Sequence, residues 1–161
     1  MNDPLSNWLR RINPIWFVLV ILAASYVVLL PFVGLATLIP ALEQGEGAKS
    51  IRSNGLAAQF IIVAIIGPLL ETALNQQLTT WLFRTKLQLK WPIVIFLSAA
   101  FFGALHWYSL GYVIFAFHIG LLLAYAYGVL MEKPNGWPFL SVFIIHAVRN
   151  GIAIATVYFL P

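Results

Sequence analysis

Glu71, His106, His146 and Asn150 have side chains suited to acid–base chemistry, and each lies inside a long apolar run. A carboxylate takes a proton from water when a neighbour positions that water and its own pKa suits the task. His106 is suited to share that water or to stabilise the charge that develops. His146 and Asn150 stand four residues apart, so on a helix they project from one face. From there both can donate hydrogen bonds to the oxyanion of an attacked carbonyl. Such a set supports amide hydrolysis without a covalent intermediate, and it needs no serine or cysteine nucleophile. Around it lie Thr72, Asn75, Gln76, Phe102 and Arg149 as candidate supporting residues.

These groups must be held by membrane helices. The chain has 161 residues, 61% hydrophobic and 9% charged, with a mean hydropathy of +0.91. A soluble domain carries about 25% charged residues, so a free-standing soluble domain is excluded. Intrinsic disorder is excluded by the hydrophobicity, and a disulfide scaffold by the absence of cysteine. The net charge of +4 reads as loop charge that sets orientation, not as a nucleic-acid footprint. The expected fold is all-α: a polytopic bundle of about five membrane-spanning helices plus an N-terminal interfacial helix, forming one integral membrane domain over residues 1–161.

Leu5, Trp8, Leu9 and Ile12 fall at i, i+3, i+4 and i+7, with Arg10 and Arg11 opposite, the pattern of an interfacial amphipathic helix. The charge-free run from Ile12 to Leu42 is too long for a signal-peptide core. It predicts a retained first crossing over about Pro14 to Ile39, bent at Pro31. A polar loop, Glu43 to Asn54, leads to a second crossing from Gly55 to Phe83, and a basic loop follows with Arg84, Lys86 and Lys90. Trp91 to Met131 is free of formal charge for 41 residues. That makes about 60 Å of helix, or two crossings, broken near Trp107 to Gly111. The last crossing runs from Trp137 to Leu160, after a turn at Glu132 to Gly136.

Five crossings put the N-terminus, loop 84–90 and loop 132–136 on one side, with six Lys/Arg against Lys49 and Arg52 on the other. The excess predicts a cytoplasmic N-terminus, in a bacterial inner membrane. Counting from that side at about 1.5 Å per residue, Glu71 lies roughly 18 Å deep, His106 roughly 22 Å, His146 roughly 14 Å and Asn150 roughly 20 Å. Three helices thus bring polar groups to nearly one level. Gly67-Pro68, one turn before Glu71, predicts a kink and a wet pocket. Arg149, roughly 18 Å deep, is expected to pair with Glu71 or to bind a substrate carboxylate. His118 and the small-residue face Gly120, Ala124, Gly128 read as packing features.

Three blocks, Glu71-Thr72-Ala73-Leu74-Asn75-Gln76, Phe102-Gly103-Ala104-Leu105-His106 and His146-Ala147-Val148-Arg149-Asn150, resemble the CPBP family. These are the CAAX proteases and bacteriocin-processing enzymes also called Abi proteins, whose pattern is Glu-Glu-x-x-x-Arg, Phe-x-x-x-His and His-x-x-x-Asn. The similarity spans roughly Ala64 to Ile154, within a core over about 55–160. The resemblance implies a glutamic-type intramembrane endopeptidase in which Glu71 and His106 activate water while His146 and Asn150 stabilise the oxyanion. It implies a membrane-associated or lipidated protein or peptide substrate, no cofactor and no nucleic acid. Thr72 and Gln76 replace the motif's second Glu and its Arg. A charged i, i+4 pair thereby becomes a neutral one that is still able to hydrogen-bond.

Other readings of the same residues are a zinc variant, with Glu71, His106 and His146 as ligands, and a catalytically inactive member acting as an immunity or scaffold protein. A proton-coupled carrier is disfavoured, because five crossings show no inverted repeat.

Overall fold

The structure, a computed structural model, describes residues 1, 3–39 and 55–159. The polar loop expected over Glu43 to Asn54, with Lys49 and Arg52, lies outside the described residues. Among the described residues every regular element is helical. We number them α1 (Pro4–Arg11), α2 (Pro14–Val27), α3 (Leu30–Leu38), α4 (Leu56–Lys86), α5 (Trp91–Ala104), α6 (Leu110–Met131) and α7 (Pro138–Phe159).

Helix starts are set by local chemistry. Asp3 accepts from the Ser6 amide and Asn13 from the Ile15 amide, each followed by a proline in the first turn, where a missing N–H does no harm. The Ser6 amide holds the Asp3 carboxyl down to about 2. Ser109 caps α6 by accepting from the Tyr112 amide at 3.1 Å, so the break between α5 and α6 falls at 105–109. The break between α2 and α3 comes at Val28 and Leu29, just before Pro31.

Four helical stretches are long and apolar enough to cross a membrane: Pro14–Leu35, Leu56–Lys86, Leu110–Met131 and Pro138–Phe159. α5 has 14 residues, about 21 Å at 1.5 Å each, and so falls short of the ~30 Å hydrocarbon layer. The turn at 105–109 takes from α5 the residues a full fifth crossing needs. Large apolar side chains such as Ile15, Leu30, Leu38, Phe96 and Leu110 stand exposed around the bundle. A surface of that kind belongs in lipid.

Inside, α5 packs along α6 more extensively than any other pair of helices. The reason is glycine: a Cβ on Gly120 would come within 3.0 Å of the Ala99 Cα, and one on Gly103 within 3.0 Å of the Val113 carbonyl. The small-residue face of α6 is therefore a packing seam, as expected. Phe17, Leu123, Leu130, Val142 and Ile145 fill the core around it.

Glu132 binds three segments together at one end. It accepts from the terminal ammonium of Met1 (2.6 Å), from Arg10 (2.7 Å) and from Trp91 Nε1 (2.5 Å). Partial burial pushes this carboxyl up, but the bonds from the ammonium and Trp91, with the Arg10 charge, hold it below the ordinary range. Lys133 donates to the Ile12 carbonyl, and the Arg84 guanidinium lies over the Trp91 ring. The three basic segments, 10–11, 84–90 and 132–136, thus meet at one end of the bundle.

Candidate active site

α4 carries Glu71 and is not an ordinary α-helix. Phe60–Ile66, Thr72–Leu78 and Trp81–Lys86 are wound with i→i+5 hydrogen bonds, a winding that is rare and concentrates at functional sites. At the first of these segments the Gly67 amide bonds to the Ile62 carbonyl, and Pro68 has no amide to give. The Val63 carbonyl is left without a partner in its own helix. Asn150 of α7 supplies one, its Nδ2 donating to Val63 O at 2.9 Å. The kink and its remedy thereby tie the Glu71 helix to the His146 helix.

Glu71 faces both histidines. His106 Nε2 lies 3.8 Å from Oε1 and His146 Nε2 lies 3.5 Å from Oε2. The first separation is too long for a direct hydrogen bond and the second is marginal, and both suit a bridging water. His106 follows directly on the last turn of α5. Its Nδ1 lies 2.7 Å from the Phe102 carbonyl, which can only accept, so Nδ1 carries the proton. Nε2 is thereby the ring nitrogen turned towards Glu71. Phe102 seats both imidazoles, its ring centroid 4.6 Å from that of His106 and 5.6 Å from that of His146.

A small cavity of about 40 Å³ lies against this group, lined by Phe102, His106, Tyr112, His146, Arg149 and Asn150 among others. At roughly 15 Å³ for each water it has room for two or three. Larger surface concavities lie elsewhere, one beside Gln77 and Trp81 and one beside Phe60 and Phe159.

Three expectations need correction or extension. Arg149 does not pair with Glu71: its guanidinium lies 5.0 Å from the Phe115 ring and 5.6 Å from the Tyr26 ring. Glu71 points between the histidines, while Arg149, one turn beyond His146, turns towards α2 and α6. Thr72 and Gln76 are fully buried, yet no hydrogen bond joins them, and the Thr72 hydroxyl and the Gln76 amide group have no protein partner. Asn75 is buried as well; its own amide is unpartnered, while Thr79 and Ser98 both donate to its backbone carbonyl. The Ser98 bond to the Asn75 carbonyl, with the Thr79 hydroxyl donating to Ser98 Oγ at 3.1 Å, lashes α4 to α5 beside the site.

Sequence reasoning passed over Ser98, Val63 and Tyr112, whose ring stacks on His106 at 5.7 Å. No spacing rule marks any of them. Tyr112 alone left a signal, as an aromatic in the first turn after the break. His118, in contrast, bonds the Ile114 carbonyl and packs on Phe32, the packing role expected of it. Among the described residues, no group of three His, Cys, Asp or Glu side chains is arranged to hold a metal ion.

No curated protein and no solved structure matches this chain. The family described as Type II CAAX prenyl endopeptidase Rce1-like matches residues 53–152. That stretch runs from before α4 into α7 and contains Glu71, His106, His146 and Asn150. With helices built for lipid and a family match over most of its length, the chain belongs to the Rce1-like type II CAAX prenyl endopeptidases.

Proposed function

We propose that this chain is a glutamic-type intramembrane endopeptidase that cuts a peptide bond near the end of a membrane-tethered, lipidated polypeptide. The family supplies the endopeptidase class. The observation that carries the mechanism is the convergence of Glu71, His106 and His146 from three helices, with separations of 3.5 and 3.8 Å.

A water between Glu71 Oε1 and His106 Nε2 loses its proton to the carboxylate as its oxygen attacks the scissile carbonyl. The His146 Nε2–H, in that tautomer, and the second Nδ2 hydrogen of Asn150 stabilise the oxyanion. Collapse breaks the C–N bond, and the proton held by Glu71 passes to the departing amine. The products are a new carboxyl terminus and a free amine. The N-terminus and the basic loops face the cytoplasm of a bacterial inner membrane.

The test uses full-length protein in bilayers with a fluorogenic S-farnesyl CAAX peptide. His106→Gln is expected to lower turnover about 10²- to 10⁴-fold, and His146→Leu about 10²- to 10³-fold. Unchanged turnover in His106→Gln would sink the water-activation role. The neutral, unbonded Thr72 and Gln76 favour a second reading, an inactive scaffold that binds the same peptides. Peptide binding by wild type with no turnover would select it.

A further inference from the structure

A groove runs between α4 and α6, and none of the residues that line it belongs to the hydrolytic site. Ala73, Gln77, Trp81 and Thr85, at every fourth position of α4, form one wall, and Tyr127 and Met131 of α6 form the other. It encloses about 540 Å³, within the range of pockets that take small molecules and far more than the cavity beside His106 and His146.

The chemistry of the groove changes along its length. At the end of the bundle where the basic segments meet, the Lys86 ammonium lies 5.1 Å from the centre of the Trp81 ring, and Thr85 adds a hydroxyl. No ion pair engages Lys86 among the described residues. One turn deeper than Trp81 stands the exposed side chain of Gln77, roughly 9 Å inside Phe83, and one turn beyond that comes Ala73. A primary amide facing lipid at that depth is costly unless a polar partner meets it.

A glycerophospholipid carries its groups in the matching order: a phosphate, ester carbonyls just inside it, then an acyl chain. Local charge selects the headgroup. Arg84, Lys86, Lys90 and Lys133 gather at this end. The Glu132 carboxylate beside them is already held by the Met1 ammonium, Arg10 and Trp91. The positive field left over attracts an anionic headgroup.

We propose that the α4–α6 groove binds an anionic phospholipid, with its phosphate on Lys86 and Thr85, its ester carbonyls at the Gln77 amide and one acyl chain along Ala73 and Tyr127. The bound lipid braces the helix that carries Glu71 against the helix that carries Tyr112. The site depends on the membrane fold and is independent of the endopeptidase reading, because no step of the chemistry passes through it.

The test measures binding and needs no turnover. Full-length protein in detergent is titrated with phosphatidylglycerol and with phosphatidylcholine of the same acyl chains, and the first bound lipid is followed by native mass spectrometry. Phosphatidylglycerol is expected to bind about 5-fold more tightly, the effect of one basic residue at about 1 kcal/mol. Lys86→Gln should abolish that preference, and Lys90→Gln, outside the groove, should keep it. Gln77→Leu should weaken both lipids alike and leave their ratio unchanged. The ratio guards against a fold defect, since general loosening weakens both lipids together. Equal affinity for the two lipids, a preference that survives Lys86→Gln, or binding untouched by Gln77→Leu would overturn the proposal. Equal loss of the preference in Lys90→Gln would overturn it as well, leaving only the general charge of that end of the bundle. Displacement of the lipid by the S-farnesyl CAAX peptide would give the groove to the substrate instead.

Discussion

A double-mutant cycle separates the structural role of Asn150 from its proposed catalytic one. Its Nδ2 caps the Val63 carbonyl at 2.9 Å, and in the proposed mechanism its second hydrogen is donated to the oxyanion. Asn150→Ala leaves the Val63 carbonyl unsatisfied inside the bundle. A buried acceptor without a partner costs about 1–3 kcal/mol in soluble proteins. Hydrogen bonds between membrane helices average only about 0.6 kcal/mol and reach about 1.7. The membrane values govern here, and because no backbone amide substitutes, the loss should fall near the top of their range, about 1 to 1.5 kcal/mol. Pro68→Ala restores an amide five residues beyond Val63, in the register that the Gly67 to Ile62 bond already follows. In that background Asn150→Ala should cost less than about 0.5 kcal/mol, a coupling of roughly 1 kcal/mol. Reversible unfolding in mixed micelles, followed by tryptophan fluorescence, reads these differences. Turnover should behave differently, falling about 10²- to 10³-fold in both backgrounds, because the oxyanion donor is gone in each. Equal stability losses with and without Pro68 would refute the capping argument. Recovery of turnover by Pro68→Ala would instead make Asn150 a positioning residue only.

Gly120→Val places a Cβ 3.0 Å from the Ala99 backbone and 3.1 Å from Phe102. It should cost about 1–3 kcal/mol, lowering both thermal stability and turnover because Phe102 seats both histidines. Gly151→Ala, whose Cβ would meet Phe60 at an ordinary 3.6 Å, should leave the melting temperature unchanged or raise it through better helix propensity. Glu132 has a folded pKa below its ordinary 4.5, so it stabilises the fold above that value, and this contribution is lost as pH falls through the folded pKa. Wild type should therefore lose more thermal stability than Glu132→Gln on acidification below pH 4.5, and parallel losses would contradict the clamp. Chelation by 1,10-phenanthroline should leave Glu71-dependent cleavage intact; a loss that zinc restores would turn Glu71, His106 and His146 into metal ligands.

Hydropathy and caps made most of the fold legible. Long apolar runs located the helices of α2, α4, α6 and α7, and Pro31 and the 107–111 polar cluster marked the breaks close to where they fall. Depth counting along those helices brought Glu71, His106 and His146 to one level, where the structure brings them together. The i→i+5 winding of α4 was not legible, because it depends on which carbonyls find partners in other helices. The capping of Val63 by Asn150 is the clearest case. The direction of Arg149 was hidden for a related reason: spacing puts it near Glu71 in depth, but only packing of α2 and α6 decides that Tyr26 and Phe115 take its guanidinium. The short length of α5 follows from the Ser109 cap, whose effect on the count of crossings hydropathy alone does not weigh.

The most direct test of the central claim is to express wild type and Glu71→Gln at equal levels in matched native membranes and map protein carboxyl termini by mass spectrometry. New termini present with wild type and absent with Glu71→Gln are the predicted result, and they would identify the substrate as well. Identical termini in both membranes would contradict a proteolytic role for Glu71.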